Sequence, residues 1–511
     1  MKNGWITGPA RIKHGMWILY LAAWAGLFVL SQTVHGQTAE TVPHVSRADF
    51  AASYLRFEQA FLTASLDSAE TVRVNREFDA LTLLFFSRSY DRAVRKLHEL
   101  TSSLSSGGAI PAAAASLAVR VEPSIYVFGQ DKNPAPFLRI ESLYALPESF
   151  VSIDLAAEIR PPDGSPSQKP VLCVPFTAEW EEGRFINIEL PFPIDPSTIE
   201  PGMHDLGIRL NTEFIRTGSW TIVRNDLDDV RERNDRRIES LRIGTEHELR
   251  DALESVSARN RLLASHPSPE NTAQAVLDLA LLAEAVENEI EALRRKENPF
   301  RERKGDSWRV IPFEEHRVPV RVYAPGTGRP DAGWPLLIAF HGAGGDENMF
   351  MEGYGAGLIR TLADSGGVVI ASPFANAFAG VNGTALFDRL LEMLSKDYCL
   401  DMVRVYLIGH SMGAGVVNRL VQARSQKIAA AACLCGFRGF GETVESVPPV
   451  LVIAAELDPL AGPARIRPAV EEAAARDLPV TYRMVPGYGH TLVVSHKLPD
   501  VFTWLTGHEK R

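Results

Sequence analysis

The sequence predicts an α/β protein: a C-terminal, mostly parallel sheet with helices on both faces, preceded by helical segments and a β-sandwich-like module. Three observations carry this reading. In residues 307–507, short continuous apolar runs alternate with helical patterns, and each run ends in a Gly- or Asp-containing loop, as for strands buried on both faces. Residues 116–224 hold strand-like runs separated by Pro, Gly and Asp turns. Residues 46–105 and 226–297 carry apolar residues at helical spacing.

The chain has 511 residues, enough for more than one domain, and its 45% apolar content suits full-sized cores. A net charge of −10 without a basic run argues against nucleic acid as a partner. Residues 1–36 read as a secretory signal peptide or N-terminal anchor. Lys2, Arg11 and Lys13 precede the apolar run Met16–Leu30, and a cut after Gly36 fits the small residues there. Export follows as an expectation, to the periplasm, the extracellular space or the outer face of a membrane.

Residues 46–105 are expected to form a helical hairpin. Phe50, Tyr54, Phe57, Phe61 and Leu62 make one stripe, Phe78, Leu81, Phe85, Val94 and Leu97 another, with a joint near Thr71–Asn75. Ser102–Ala115 suits a linker. Residues 116–224 suggest an antiparallel sandwich, with strands at Ala118–Val121, Ser124–Phe128, Phe137–Ser142, Val151–Arg160, Ile186–Leu190, Leu206–Asn211 and Ser219–Val223. This module is read as a packing unit. Its alternative role is carbohydrate contact through Trp180, Trp220 and Tyr126. Residues 226–297 return to helix, and Ser268-Pro269 is a start signal for a helix running to about Lys296. These helices are expected to pack on the first pair. The charged stretch Pro299–Asp306 then links to the C-terminal region.

That region carries the chemistry. The strand-like Val403–Ile408 runs into Gly409-His410-Ser411-Met412-Gly413, a G-x-S-x-G elbow, and a helical pattern follows from Met412 to Arg424. Small residues two before and two after the serine let strand and helix approach closely. A serine needs a base to take its proton and an acid to orient that base, in the chain order Ser, Asp or Glu, His. Val450–Ala455 reads as a buried strand, and Asp458 lies just past its end. Val480–Val485 reads as the last strand, and His490 lies on the Gly-rich loop after it. Ser411, Asp458 and His490 are therefore the expected catalytic residues. Glu456 is the rival acid and His496, within the final helical pattern, the rival base. A tetrahedral intermediate needs N–H donors for its oxyanion. Pro335–Phe340 is a further buried strand leading into His341-Gly342-Ala343-Gly344-Gly345, so Ala343 and Met412 are the expected donors. Phe437 and Phe440, on the irregular stretch Cys435–Val447, are expected to line the acyl pocket.

His341 to Phe350, read with the Gly-His-Ser-Met-Gly elbow, resembles the α/β-hydrolase superfamily. Within it the match is to compact secreted esterases of the polyhydroxybutyrate depolymerase and feruloyl esterase type, with phospholipase/carboxylesterase relatives close. The resemblance covers about residues 307–507. It implies Ser411, Asp458 and His490 as triad, Ala343 and Met412 as oxyanion donors, and hydrolysis of a small-molecule or polymer ester without a cofactor. Such depolymerases often carry Cys and Gln in the oxyanion loop, where this chain has Ala343-Gly344-Gly345. Two other functions remain. One is a serine peptidase of prolyl oligopeptidase type, which usually carries a repeat-built propeller not visible in residues 40–300. The other is a non-catalytic binding protein on a hydrolase scaffold.

Cys173, Cys399, Cys433 and Cys435 show no zinc-site spacing. Cys399 lies at one strand's start and Cys433 and Cys435 at its neighbour's end, roughly 15–20 Å apart for parallel strands. Bridging needs Cα atoms within about 7 Å. Free, buried thiols are expected.

Overall fold

The computed structural model describes residues 45–104, 112–128, 135–146, 150–161, 169–243, 246–268 and 271–510. The predicted signal segment, residues 1–36, lies outside them. Among the described residues no helix is long and apolar enough to cross a membrane.

Three helices open the described chain: α1 (Arg47–Thr63), α2 (Ser68–Phe86) and α3 (Tyr90–Leu104). The expected joint at Thr71–Asn75 is instead the interior of α2, and the true breaks fall at 64–67 and 87–89. Capping boxes explain the starts. Ser46 and Asp49 exchange hydrogen bonds at the head of α1, and Asp67 and Glu70 do so at the head of α2. Phe57, Phe61, Val74, Phe78 and Leu97 fill the core between these helices, whereas Leu62 is exposed.

Two antiparallel-rich sheets follow. Their strands are β1 (Leu117–Glu122), β2 (Ile125–Val127), β3 (Phe137–Ser142), β4 (Phe150–Arg160), β5 (Leu172–Glu181), β6 (Arg184–Phe185), β7 (Ile188–Pro191), β8 (Gly202–Leu210) and β9 (Glu213–Val223). One sheet has the order β1-β3-β7 and the other β2-β9-β8-β4-β5-β6. Their facing side chains make one core. Trp180 and Trp220 lie fully inside it, and Trp220 gives its indole N–H to the Pro123 carbonyl at 3.0 Å. These two indoles are core residues and not an exposed sugar platform.

Four helices come next: α4 (Leu227–Arg242), α5 (Arg250–Asn260), α6 (Thr272–Val276) and α7 (Leu279–Arg294). Pro269 lies outside the described residues. Asn271 caps α6, and Asp278 interrupts the expected single long helix by capping α7 through the N–H groups of Ala280 and Leu281. The larger helices share their core with Val127, Val223, Trp308 and Val310, so they pack on the sandwich end and the next sheet rather than on α1–α3.

The C-terminal region is an eight-stranded sheet of order β10-β11-β13-β12-β14-β15-β16-β17. The strands are β10 (Gly305–Phe313), β11 (His316–Ala324), β12 (Trp334–Phe340), β13 (Val369–Pro373), β14 (Leu400–His410), β15 (Ala430–Leu434), β16 (Val450–Ala455) and β17 (Val480–Val485). From β13 to β17 every neighbouring pair is parallel, and β11 is antiparallel to both β10 and β13. Helices α8 (Leu358–Gly366), α9 (Gly383–Asp397), α10 (Met412–Ala423), α11 (Pro463–Ala475) and α12 (Leu492–Thr506) join or follow the strands. The core divides into two clusters, one on each face of the sheet. The chain leaves β12 for β13 on one side and returns to β14 on the other. The strand order therefore reverses at β12, and ligands of open α/β sheets bind at such carboxyl-end switch points.

Candidate active site

Everything predicted to be catalytic lies at these carboxyl ends. Phe340 of β12 pairs with Gly409 of β14, so the loops after the two strands are neighbours. Ala455 of β16 pairs with Val485 of β17, which does the same for the loops carrying Asp458 and His490.

Ser411 sits between β14 and α10 with φ 53° and ψ −112°. That backbone region is sparsely populated and costs about 1–3 kcal/mol, a strain characteristic of functional turns. The surroundings impose it. The Ser411 N–H donates to the Leu434 carbonyl at 2.8 Å, and its carbonyl accepts from Gly415 at 3.2 Å. A Cβ at Gly413 would strike the Phe340 carbonyl oxygen, and one at Gly409 would strike Gly413. Only glycine lets the strand and helix cross here. Ser411 is half-buried.

His490 and Asp458 are both buried, with Nδ1 of the imidazole 2.8 Å from Oδ2 of the carboxylate. Oδ1 of Asp458 accepts two backbone N–H groups, Leu460 at 2.8 Å and Ala461 at 2.9 Å. Burial alone would raise this carboxyl. The His490 imidazole and the two N–H groups outweigh it and hold Asp458 below its usual range. An ionised acceptor fixes the proton on Nδ1 and leaves Nε2 free to accept one. The rival residues have other work. Glu456 accepts the Gly487 N–H at 2.8 Å and so steadies the loop bearing His490. His496 lies in α12, stacked on Tyr488 with ring centroids 4.1 Å apart.

The predicted oxyanion loop borders the serine. A Cβ on Gly342 would lie 3.5 Å from the Ser411 Cβ. His341 pins the loop's course: Nδ1 donates to the Gly342 carbonyl at 2.7 Å, and Nε2 accepts the Ala375 N–H at 2.9 Å. Met412 opens α10, and first-turn N–H groups lack intrahelical acceptors. Ala343 is exposed on the loop surface.

Three features escaped sequence reasoning. His410, the variable residue before the serine, bridges the site through Tyr354 at 2.6 Å and the His490 carbonyl at 2.9 Å. Cys435 holds its thiol near Asp458, and burial pushes that thiol well above its usual range, so it stays neutral. Cys435, Asp458 and His490 are a grouping of metal-ligand type within 4.8 Å, but the acid and imidazole are already bonded to each other. The third is the reach of the N-terminal helices. Arg47 donates to the Gly344 carbonyl at 3.1 Å, and Asn75 and Asp79 of α2 accept N–H groups of the His490 loop. A cavity of about 180 Å³ lies between these helices and the oxyanion loop, lined by Phe50, Phe85, Ala343, Gly344, Met349 and Thr491 among others. Phe437 and Phe440 do not line it. They are buried in the core on one face of the sheet, edge to face at 5.3 Å.

All four cysteines are free. Cys433 and Cys435 are buried as expected, but Cys173 and Cys399 are exposed.

No family profile matches the chain. It is 32% identical over 128 residues to a bifunctional acetylxylan esterase/xylanase of Neocallimastix patriciarum, covering 24% of this chain and 18% of that protein. It is 30% identical over 112 residues to Probable feruloyl esterase C of Aspergillus terreus, covering 20% of this chain and 40% of that protein. The chain thus spans well under half the length of either curated relative. Among solved structures, an S-formylglutathione hydrolase of Staphylococcus aureus superposes with a TM-score of 0.33 at 15% identity, over 40% of this chain and 98% of that one. The strand order and the serine elbow between β14 and α10 give the C-terminal region an α/β-hydrolase fold, and the chain is similar to the two esterases over 128 and 112 residues.

Proposed function

We propose that this chain is a serine hydrolase that cleaves carboxylic esters through an acyl-enzyme. The observation that carries the reading is the buried His490–Asp458 pair at 2.8 Å, on strand ends neighbouring a serine held at φ 53°. In this reading His490 Nε2 takes the Ser411 proton as the oxygen attacks the ester carbonyl. Asp458 stabilises the imidazolium that forms, and the Ala343 and Met412 N–H groups hold the oxyanion. Collapse expels the alcohol, which receives the proton from His490. Water, deprotonated by the same imidazole, then releases the acid and restores Ser411. The names of the two curated relatives favour acylated saccharides as the first substrates to try. The apolar run flanked by Lys13 supports export, and protein recovered from outside the cytoplasm is expected to begin after Gly36, which N-terminal sequencing checks.

The test is labelling with a fluorophosphonate probe, joined to turnover of p-nitrophenyl acetate, acetylated xylan, a feruloyl sugar and a peptide. Wild type should label and hydrolyse esters, and Ser411→Ala should do neither. Labelling of Ser411→Ala equal to wild type would remove the assignment. Cleavage of peptides but not esters would make the chain a peptidase, and silence towards all of them a binding protein.

A further inference from the structure

Resting on the serine-hydrolase reading, the geometry points to Asp79, on the N-terminal helix α2, as a positioning residue for His490. The two residues are 411 positions apart in sequence, yet the His490 N–H lies 3.1 Å from Oδ1 and 3.0 Å from Oδ2 of Asp79. One turn earlier on α2, fully buried Asn75 accepts the Gly489 N–H at 2.9 Å and is itself held by donating to the Thr71 carbonyl at 2.9 Å. Two successive N–H groups of the base loop, those of Gly489 and His490, thus end on two side chains that stand at helical i, i+4 spacing on one face of α2.

These N–H groups would otherwise be orphans. Thr491, the N-cap of α12, makes no side-chain capping bond of its own. Packing reinforces the grip. Leu492 and Tyr488 sit in the core of α1–α3, and a Cβ on Gly489 would collide with the Asp79 carboxylate. The main chain on either side of His490 is therefore fixed by α2, while its side chain is fixed by Asp458. Asp458, Cys435 and His490 itself are the titratable groups that face Asp79 from the sheet side. The opposite lip of the site is held similarly, since Arg47 of α1 binds the Gly344 carbonyl and Asp346, and the Phe85 ring lies against Gly344. The helical segment is thus a structural half of the active site rather than a spacer.

The test compares wild type, Asp79→Ala and Asp79→Asn in the full chain. Each is titrated with a fluorophosphonate so that kcat is expressed per reactive serine, which removes any loss of folded protein from the reading. A small displacement of a catalytic base costs orders of magnitude, so Asp79→Ala should lose about tenfold or more in kcat per titrated site with KM changed by less than about twofold. Asp79→Asn keeps one acceptor oxygen and should fall between the two. A purely structural role would lower the yield of titratable protein and leave kcat per site unchanged. That result, with kcat per site within about twofold of wild type, overturns the proposal. If Asp79→Ala yields no folded protein, Asp79→Asn decides by the same criterion. Wild type that neither labels nor turns over would overturn the hydrolase reading and take this proposal with it; labelled wild type with indifferent variants overturns the positioning role alone.

Discussion

His410 shows how much a single variable position of the serine elbow can carry. Its ring is buried, and its Nε2 lies 2.9 Å from the His490 carbonyl, an atom that can only accept. The proton is therefore on Nε2, and Nδ1 must accept from the Tyr354 hydroxyl at 2.6 Å. Burial drives this imidazole down to about 3, and the neighbouring His490 adds to the effect, so it is neutral at any working pH. Tyr354 also lies 3.4 Å from the Gly342 N–H, so one phenol links the oxyanion loop, the elbow and the base loop. Tyr354→Phe would keep the ring packing but leave the His410 Nδ1 and the Gly342 N–H without partners in a dry interior. Unpaired buried groups cost about 1–3 kcal/mol, so the urea midpoint should fall with an unchanged slope. An unaltered midpoint would show that the hydroxyl contributes nothing. None of this was legible in the sequence, where His410 is merely the x of a motif. The pairings depend on backbone atoms that only the folded sheet brings together.

At the scale of elements, the parallel strands that carry the site and most strands of the N-terminal module were legible, whereas β10, β11 and β13 and the helix joints were not. Apolar runs such as Val450–Ala455 are buried on both faces and so announce themselves without regard to context. Strand β5 went unread because Pro175 breaks its pattern. Proline is tolerated there because β6 pairs only with Trp180 and Glu181, leaving most of β5 an open edge. The α1–α2 break was signalled by Asp67 and Glu70, whereas the α2–α3 break at 87–89 was concealed because the second stripe, Phe78 to Leu97, runs across it. The contacts made by α1 are equally hidden. Glu58 is buried where it reaches Tyr54 at 2.6 Å and Ser495 of α12 at 2.8 Å. Burial raises its carboxyl to about 7, although the Tyr54, Ser495 and Gly355 hydrogen bonds oppose the rise. A folded-state value above the ordinary 4.5 means that the folded chain holds this proton more tightly. The stability it contributes is fully present below pH 4.5 and is lost as pH rises through about 7. Glu58→Gln keeps the shape and removes the titration. Relative to wild type, the variant should gain stability between pH 5 and pH 8, by on the order of 3 kcal/mol at most. Denaturant unfolding at the two pH values measures this, and a difference independent of pH would rule it out.

At the scale of the whole molecule, the units that a sequence reading separates are tied together by shared cores. Trp308 and Val310 belong to β10 of the α/β sheet, yet they pack into the core of α4, α5 and α7, which also takes in Val127 and Val223 of the sandwich. Leu492 of α12 completes the core of α1–α3. Polar contacts cross the same boundaries. Buried Arg259 of α5 pairs with Glu289 at 3.0 Å and donates to the Trp308 carbonyl at 2.9 Å, and Ser255 donates to the Val310 carbonyl at 3.3 Å. Arg120 of the sandwich binds Asp49 of α1 at 2.5 Å. Breaking one unit away would expose apolar faces and strand buried polar groups on both sides, each such group costing about 1–3 kcal/mol. Independent domains unfold in separate steps, whereas segments that share cores lose their structure together. The described chain from residue 45 to 510 is therefore expected to unfold in a single transition. Tryptophan emission, which follows buried Trp180, Trp220, Trp308 and Trp334, should change at the same temperature as the far-ultraviolet helix signal and the loss of fluorophosphonate labelling. An earlier loss of helix signal with labelling intact would mean that α1–α3 detach without disturbing the site. That outcome would contradict both the shared cores and the role assigned to Asp79.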